Sequence, residues 1–193
     1  MAADATQTGP PGDAARHLPL ETLERELETL APPRDAGTVA LVVARLADGT
    51  RAMPERAELT PEGGVPGDAW QRKTPDKLDA QITLMRADVA RLFANGQDLS
   101  LFGDNLLVEL DLSRTNLPAG SRLRIGQALL EVTPEPHDGC RKFRQRCGAA
   151  ALRLTAAPRF REQRLRGIYA RVVEPGEVAV GDDIAVLSRG DSD

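Results

Sequence analysis

The chain has 193 residues, enough for one domain with a hydrophobic core. It is 41% hydrophobic and 28% charged, as in ordinary globular proteins, but its aromatic content of 3% leaves few rings on which nucleic-acid bases could stack. Together with a net charge of −4, this argues against a nucleic-acid-binding platform. The longest apolar run, residues 39–44, is far too short to cross a membrane.

The first 17 residues predict a disordered tail, because they carry Gly9-Pro10-Pro11-Gly12 and little that could be buried. They lack the basic start and apolar middle of a secretory signal. Cys140 and Cys147 are the only cysteines, and two cysteines in a chain of this kind are usually free thiols in a reducing compartment. We therefore expect a cytoplasmic protein.

A helix and linker are predicted over residues 18–36. Leu20, Leu23, Leu27 and Leu30 recur at helical spacing with charged residues between them, and Pro32-Pro33 ends the pattern. We expect the leucine stripe to pack on the main domain. A coiled-coil or partner-binding helix is the alternative, although only three turns of the pattern exist.

Short extended segments separated by Gly and Pro turns follow Gly37. Candidate strands are residues 39–46, 82–85, 106–110, two arms of a hairpin within 120–133, 168–173 and 178–187. Residues 87–93 predict a helix that is closed by Asn95-Gly96. This pattern predicts a mainly β domain over residues 37–187, a barrel or sandwich with some helices, followed by a disordered tail over 188–193.

The basic residues are concentrated in one stretch. Residues 140–171 contain ten basic residues and one acid, Glu162, although the whole chain is acidic. Nine of the ten are arginines, whose planar groups suit phosphate and carboxylate. The stretch indicates a focused site for an anion. The alternative is a solvated helix face whose arginines pair with acids elsewhere.

Cys140 is the strongest candidate for chemistry. Pro136-His137-Asp138-Gly139 precedes it and indicates a loop after a strand, where functional residues are common. Neighbouring cations favour a thiolate, which is a nucleophile and a metal ligand. The alternative is a buried, inert cysteine. Cys147 is followed by residues typical of a packed helix, and its candidate role is to resolve a persulfide or disulfide at Cys140.

His137 has three open roles: a hydrogen-bond partner of a ligand, an acid or base, or a brace for its loop. A zinc site would use His137, Cys140 and Cys147, but it would lack a fourth ligand and a paired Cys-x-x-Cys motif. A cysteine hydrolase is also disfavoured, because the chain's only histidines, His17 and His137, lie in no hydrolase signature.

At these residues the sequence resembles the MOSC domain family, named after the C-terminal domain of molybdenum cofactor sulfurase. The resemblance rests on an ordered set of short motifs between about residues 37 and 187. The motifs are Gly67-Asp68-Ala69-Trp70, Gly103-Asp104-Asn105-Leu106, residues 117–126, Pro136-His137 with Gly139-Cys140, residues 166–173, and Gly181-Asp182. The resemblance implies a β-barrel with peripheral helices.

The resemblance also implies a site. Cys140 matches the family's cysteine, thought to carry sulfur as a persulfide or to ligate molybdenum in a bound molybdopterin cofactor. The phosphate of such a cofactor suits the basic stretch. Expected cofactor-binding residues are His137, Arg141, Lys142, Arg166, Arg171, Asp68, Trp70 and Asn105. For Asp68, Trp70 and Asn105, shaping their loops is the equal alternative.

The expected member is a stand-alone, bacterial-type module. The sequence contains neither a pyridoxal-phosphate desulfurase domain nor an iron–sulfur domain, so we expect no pyridoxal phosphate site and infer that sulfur or electrons come from a separate cysteine desulfurase or reductase. The enzymatic hypothesis is reduction of N-hydroxylated compounds. The alternative is a sulfur or cofactor carrier without turnover. No nucleic-acid or membrane partner is expected.

Overall fold

The computed structural model describes residues 10–191, which contain eleven strands and four α-helices. The strands are β1 (Ala36–Val42), β2 (Ala44–Arg45), β3 (Arg51–Ala52), β4 (Arg56–Leu59), β5 (Ile82–Arg86), β6 (Leu106–Glu109), β7 (Arg122–Ile125), β8 (Ala128–Val132), β9 (Ile168–Glu174), β10 (Gly176–Ala179) and β11 (Asp183–Ser188). The helices are α1 (Leu20–Glu28), α2 (Ala69–Lys73), α3 (Ala87–Ala94) and α4 (Arg141–Ala156). Short 3-10 turns occur at Ala14–Arg16, Leu78–Ala80, Leu99–Leu101 and Pro158–Gln163.

Seven strands close into a barrel in the order β1-β11-β7-β8-β9-β5-β6. Neighbouring strands in it are antiparallel except β5 and β6, which are parallel and joined through α3. Closure removes the exposed sheet edges that invite pairing with other chains. The predicted β-barrel with peripheral helices is confirmed, and helices and strands contribute about equally to the described chain.

Local sequence signals explain several element ends. The β7–β8 hairpin turns at Gly126-Gln127, with Ile125 directly opposite Ala128. Helix α3 ends where Asn95 adopts a left-handed conformation, with φ of 45°, and donates its N–H to the Arg91 carbonyl. Asparagine and glycine tolerate this conformation better than other residues, which is why Asn95-Gly96 predicts the helix end.

The apolar run predicted as one strand over residues 39–46 is divided by the fold. Strand β1 belongs to the barrel, whereas β2 turns away and pairs with β3 across the Asp48-Gly49 turn. This short hairpin places Arg45 opposite Arg51. It projects two cations beside one another at the edge of the barrel.

Two apolar clusters stabilise the described residues. One fills the barrel, and the other lies between the barrel and the helices. Leu23 and Leu27 of α1 are buried in the second cluster, as the leucine stripe predicts. No helix within residues 10–191 has the length and apolar character needed to cross a membrane.

The predicted N-terminal tail lies partly outside the described residues, which begin at Pro10, and the predicted C-terminal tail does so beyond Asp191. The described part of the N-terminal segment contacts the helices. His17 Nε2 lies 3.1 Å from the Arg146 carbonyl oxygen, and Asn95 donates a hydrogen bond to the Arg16 carbonyl. This segment therefore rests on α4 and on the end of α3.

Gly167 allows β5 and the segment before β9 to approach closely, and Gly181 serves as a comparison without such an approach. Gly167 has φ of 100°, and a Cβ there would lie 2.1 Å from the Leu84 carbonyl oxygen. Gly181 has a similar φ of 90°, but a Cβ there would meet no described atom within 4 Å. Gly181→Ala should lower the free energy of unfolding by roughly 1–2 kcal/mol from backbone strain alone. Gly167→Ala should lower it by roughly 3 kcal/mol or more, because strain and overlap add. Urea unfolding measures both, and equal losses would contradict the close approach.

Candidate functional site

Cys140 lies at the point where a loop meets a helix. It is the N-terminal cap residue of α4, its side chain forms no capping hydrogen bond, and it is exposed. The thiol borders a cavity of about 350 Å³, here called the thiol cavity. The sequence expectation of an accessible loop cysteine therefore matches its position.

The thiol cavity is strongly cationic. Among residues 10–191, two acids line it, Asp104 and Asp138. The basic side chains that line it are Arg45, Arg51, Lys73, Lys142, Arg146 and Arg166. They come from the β2–β3 hairpin, from α2, from α4 and from the residue pair that precedes β9, so the closed fold is needed to assemble them.

Burial and mutual repulsion affect these cations. Burial lowers the pKa of Arg51 to about 10, and the charges of Arg146 and Arg45 add to that lowering. Burial is also the main cause of the lowered pKa of Arg146, where the charge of Cys140 acts in the opposite direction. A thiolate at Cys140 or an anionic ligand would therefore relieve repulsion within the cavity.

A buried ion pair forms the floor of the thiol cavity. Arg166 Nη1 donates to Asp104 Oδ2 at 2.7 Å, with the two side chains 12% and 1% exposed. His137 Nε2 lies 3.7 Å from Asp104 Oδ1, which is too long for a hydrogen bond. Burial and then the charge of Arg166 lower the pKa of His137 to about 3, and Asp104 opposes this shift only partly. The imidazole is therefore neutral at neutral pH, and its contact with Asp104 is not an ion pair there.

Three buried polar atoms at this floor lack a hydrogen-bond partner among residues 10–191: Asp104 Oδ1, His137 Nδ1 and Arg166 Nε. Such groups are rare in folded proteins, because an unsatisfied buried donor or acceptor costs about 1–3 kcal/mol. Their concentration around one cavity is typical of a site that a polar ligand completes.

Of the residues expected from the sequence, Cys140, His137, Lys142 and Arg166 meet in the thiol cavity. Arg141 instead lines a separate surface depression with Arg144 and His17. Arg171 lies on β9 outside the cavity lining, where its Nη2 contacts Glu131 Oε1 at 2.5 Å. The structure thus divides the basic stretch among several surfaces.

Asp68, Trp70 and Asn105 have clear structural contacts. Asp68 is buried, caps α2 and binds Arg45 through both carboxylate oxygens, so it orients a cation of the thiol cavity. The Trp70 indole donates to the Lys77 carbonyl. Asn105 is fully buried and bonds Thr83 and the Val43 carbonyl, joining three barrel segments. Direct ligand contacts by these three residues remain predictions.

The sequence motifs do not single out Arg45, Arg51, Lys73 or Asp104 as site residues, and they indicate Arg146 only as part of the basic stretch. A signal existed for the first two, because the Asp48-Gly49 turn predicts a hairpin that brings Arg45 and Arg51 together. Asp104 stands inside the Gly103-Asp104-Asn105 motif, and a carboxylate between buried strands demands a partner. Lys73 carries no comparable signal.

Cys147 differs sharply from Cys140. It is 2% exposed, and burial raises its pKa to about 12 despite the nearby charges of Arg166 and Arg146. Among the described residues, no three His, Cys, Asp or Glu side chains are grouped so that they could hold a metal ion.

Fold and site together define a small β-barrel module with one exposed thiol beside a cationic cavity. The family model of the MOSC domain matches residues 68–185, and the chain belongs to that family, as its motifs indicate. The MOSC domain family is associated with binding of the molybdenum cofactor.

Individual proteins also resemble this chain in sequence or in fold. YflK of Bacillus subtilis is 31% identical over 90 residues, which cover 47% of this chain and 38% of YflK, so the match spans well under half of that relative. The crystal structure of YuaD from Bacillus subtilis has a TM-score of 0.56 at 19% identity, covering 80% of this chain and 97% of YuaD. That of YiiM from Escherichia coli has a TM-score of 0.53 at 20% identity, covering 80% of this chain and 71% of YiiM. These two structures share the fold.

The two thiols should differ in reactivity at neutral pH. Cys140 should be alkylated by iodoacetamide at least tenfold faster than Cys147, because it is exposed beside cations while Cys147 is buried and protonated. Peptide mass spectrometry of the folded protein gives both rates, with the unfolded protein as the reference for equal access. Equally slow labelling of both folded-state thiols would contradict an accessible, reactive thiol at Cys140.

Stability should depend on pH through His137. Its folded-state pKa of about 3 lies below the ordinary 6.5, so below pH 6.5 the unfolded chain takes up a proton that the folded protein does not. The free energy of unfolding should therefore fall by about 2 kcal/mol between pH 7 and pH 5. Urea unfolding at the two pH values measures this loss. It should be absent in His137→Gln, and an unchanged pH dependence in that variant would contradict the assignment.

Proposed function

We propose that this chain binds a molybdenum cofactor, a pterin that bears a phosphate and dithiolene sulfurs, with Cys140 as its soft ligand. The observation that carries the proposal is the exposed Cys140 thiol bordering a cavity with six cationic side chains and two acids. Thiolates suit soft metal centres, and arginine and lysine suit phosphate. Membership of the MOSC domain family supports the choice of this cofactor.

The residues present fit such a ligand. Asp104 Oδ1, His137 Nδ1 and Arg166 Nε are buried without partners in the described chain, and a polar molecule can satisfy them. The volume of the thiol cavity, about 350 Å³, is within the range of roughly 300–1,000 Å³ typical of small-molecule sites.

Each side chain then has a distinct task. When bound, the cofactor supplies a redox-active metal. Lys142 and Arg166, two cations of the thiol cavity, would hold its phosphate, and Asp104 fixes the position of Arg166. Asp68 acts through Arg45, which it holds by a bidentate contact. His137 is neutral at neutral pH, so it donates or accepts a hydrogen bond at Nδ1 without adding charge.

With a separate reductase as electron donor, this site would reduce N-hydroxylated compounds. Reduction of such a compound by the purified protein and a reductase supports this enzymatic form. If the purified protein and the reductase do not reduce such a compound, but the protein transfers sulfur to an acceptor, the result supports a carrier.

A sulfur carrier is the second candidate, and the exposure of Cys140 favours it, because a partner protein can reach the thiol. The Cys140 thiolate would attack the outer sulfur of a persulfide on a cysteine desulfurase. A bond between Cys140 Sγ and that sulfur forms, the donor's S–S bond breaks, and the donor cysteine leaves as a thiolate. The exchange needs no external oxidant or reductant.

Removal of the Cys140 thiol should deplete the cofactor. Cys140→Ala, purified from cells that make the cofactor, should hold less than a tenth of the molybdenum and pterin of the unsubstituted protein, because the soft ligand is lost. Elemental analysis and pterin fluorescence after oxidation measure the two contents. Cys147→Ala removes the buried thiol and serves as the matched control, with contents near those of the unsubstituted protein. Full retention of both by Cys140→Ala would refute the ligand role.

A further inference from the structure

A second cavity lies behind the loop that leads to Cys140. This rear cavity has a volume of about 480 Å³ and is bordered by residues 133–139, by the last turns of α4, and by residues 161–168. It shares His137, Asp138 and Arg166 with the thiol cavity. Those three residues therefore border both cavities.

The rear cavity has its own cations. Arg114, Arg161 and Arg164 line it in addition to the shared Arg166, against the acids Glu135 and Asp138. None of the first three lines the thiol cavity. The rear cavity is thus cationic through a separate set of arginines. Two of them, Arg161 and Arg164, belong to the part of the basic stretch that does not line the thiol cavity.

The guanidinium groups of Arg114, Arg161 and Arg164 form no close ion pair with an acid among the described residues. Arg114 Nε lies 3.7 Å from Glu162 Oε1 with both side chains more than half exposed, and such exposed pairs contribute little. Within residues 10–191 the Arg161 guanidinium has no ion-pair partner. Arg164 is anchored, because its Nη1 donates to the Leu117 carbonyl at 2.7 Å. Burial lowers the pKa of Arg164 to about 10, and the charge of Arg114 adds to this effect.

Buried polar atoms point independently to a ligand at the boundary of the two cavities. The His137 side chain is 9% exposed, and its Nδ1 has no hydrogen-bond partner among the described residues. Arg166 Nε is in the same condition. Both side chains line the rear cavity, so groups that the folded chain leaves unsatisfied lie at its border.

We propose that the rear cavity is the subsite for an acidic substrate, whose phosphate or carboxylate binds Arg114, Arg161 and Arg164 while its other end reaches His137 and Arg166. The assignment of the reacting end rests on the proposed function of the thiol cavity. Binding of the anion does not, because it uses a different set of arginines. The substrate class is therefore a small molecule with one oxyanion group remote from the group that reacts.

The test is calorimetric titration of the purified protein with phenyl phosphate and, separately, benzoate at constant ionic strength. At least one should bind saturably, and the stronger of the two identifies the oxyanion. Arg114→Gln combined with Arg161→Gln should weaken this binding about tenfold, because two charged donors are lost. Arg144→Gln combined with Arg153→Gln removes the same charge from exposed positions of α4 outside both cavities and should change the affinity less than twofold.

Saturable binding that is equal in the two double variants, or its absence with both probes, would overturn the proposal. The molybdenum and pterin contents of the Arg114→Gln, Arg161→Gln variant show whether the anion in the rear cavity belongs to a substrate or to the cofactor. Contents equal to those of the unsubstituted protein support a substrate subsite, whereas a large loss assigns the rear cavity to the cofactor's own phosphate and overturns it. If the unsubstituted protein holds no cofactor, the proposed function fails, but the titration still decides whether the rear cavity binds anions.

Discussion

The site is organised around the buried ion pair between Asp104 and Arg166. A charge with so little exposure needs a partner, because an unpaired buried ion is strongly destabilising. The pair links the residues just before β6 and β9, two strands that flank β5 in the barrel. The Arg166 guanidinium also lies 5.2 Å from the ring centre of Phe143 in α4. Barrel and helix therefore meet at one pair of charges, next to the loop that leads to Cys140.

This arrangement leaves polar atoms of Asp104, His137 and Arg166 buried without hydrogen-bond partners among the described residues. His137 is neutral at neutral pH and its Nε2 lies 3.7 Å from Asp104 Oδ1, so it neither hydrogen-bonds that oxygen nor offsets its charge. The His137 imidazole and the Arg166 guanidinium each also have one nitrogen without a hydrogen-bond partner among the described residues. A fold optimised only for stability would remove such groups. Their retention between two cationic cavities is what an oxyanion-bearing ligand explains, since it provides acceptors for the nitrogens and charge for the arginines.

Local signals in the sequence predict much of this molecule. The Gly126 turn, the leucine stripe of α1 and the Asn95 cap each act within a few residues, so their elements are predicted correctly. The contrast between Cys140 and Cys147 was also readable, because one follows a Pro- and Gly-rich loop and the other precedes an alanine-rich helix.

The composition of the site could not be read in the same way. The register between β8 and β9 places Arg171 opposite Glu131, which directs it away from the thiol cavity, and nothing near Arg171 in the sequence specifies that register. In the same way, Lys73 enters the cavity only because the barrel brings α2 beside α4. Charge counted along the chain predicted an anion site, but closure of the barrel decides which arginines belong to it.

In the proposed function, the Cys140 thiol and the cationic cavity form one cofactor site. The most direct measurement is the rate at which Cys140 is alkylated in protein carrying molybdenum cofactor and in the same protein after the cofactor has been removed. Bound cofactor should nearly abolish alkylation of Cys140, and removal of the cofactor should restore the reaction. An equal rate in both samples, with the cofactor shown to be present in the first, would contradict it.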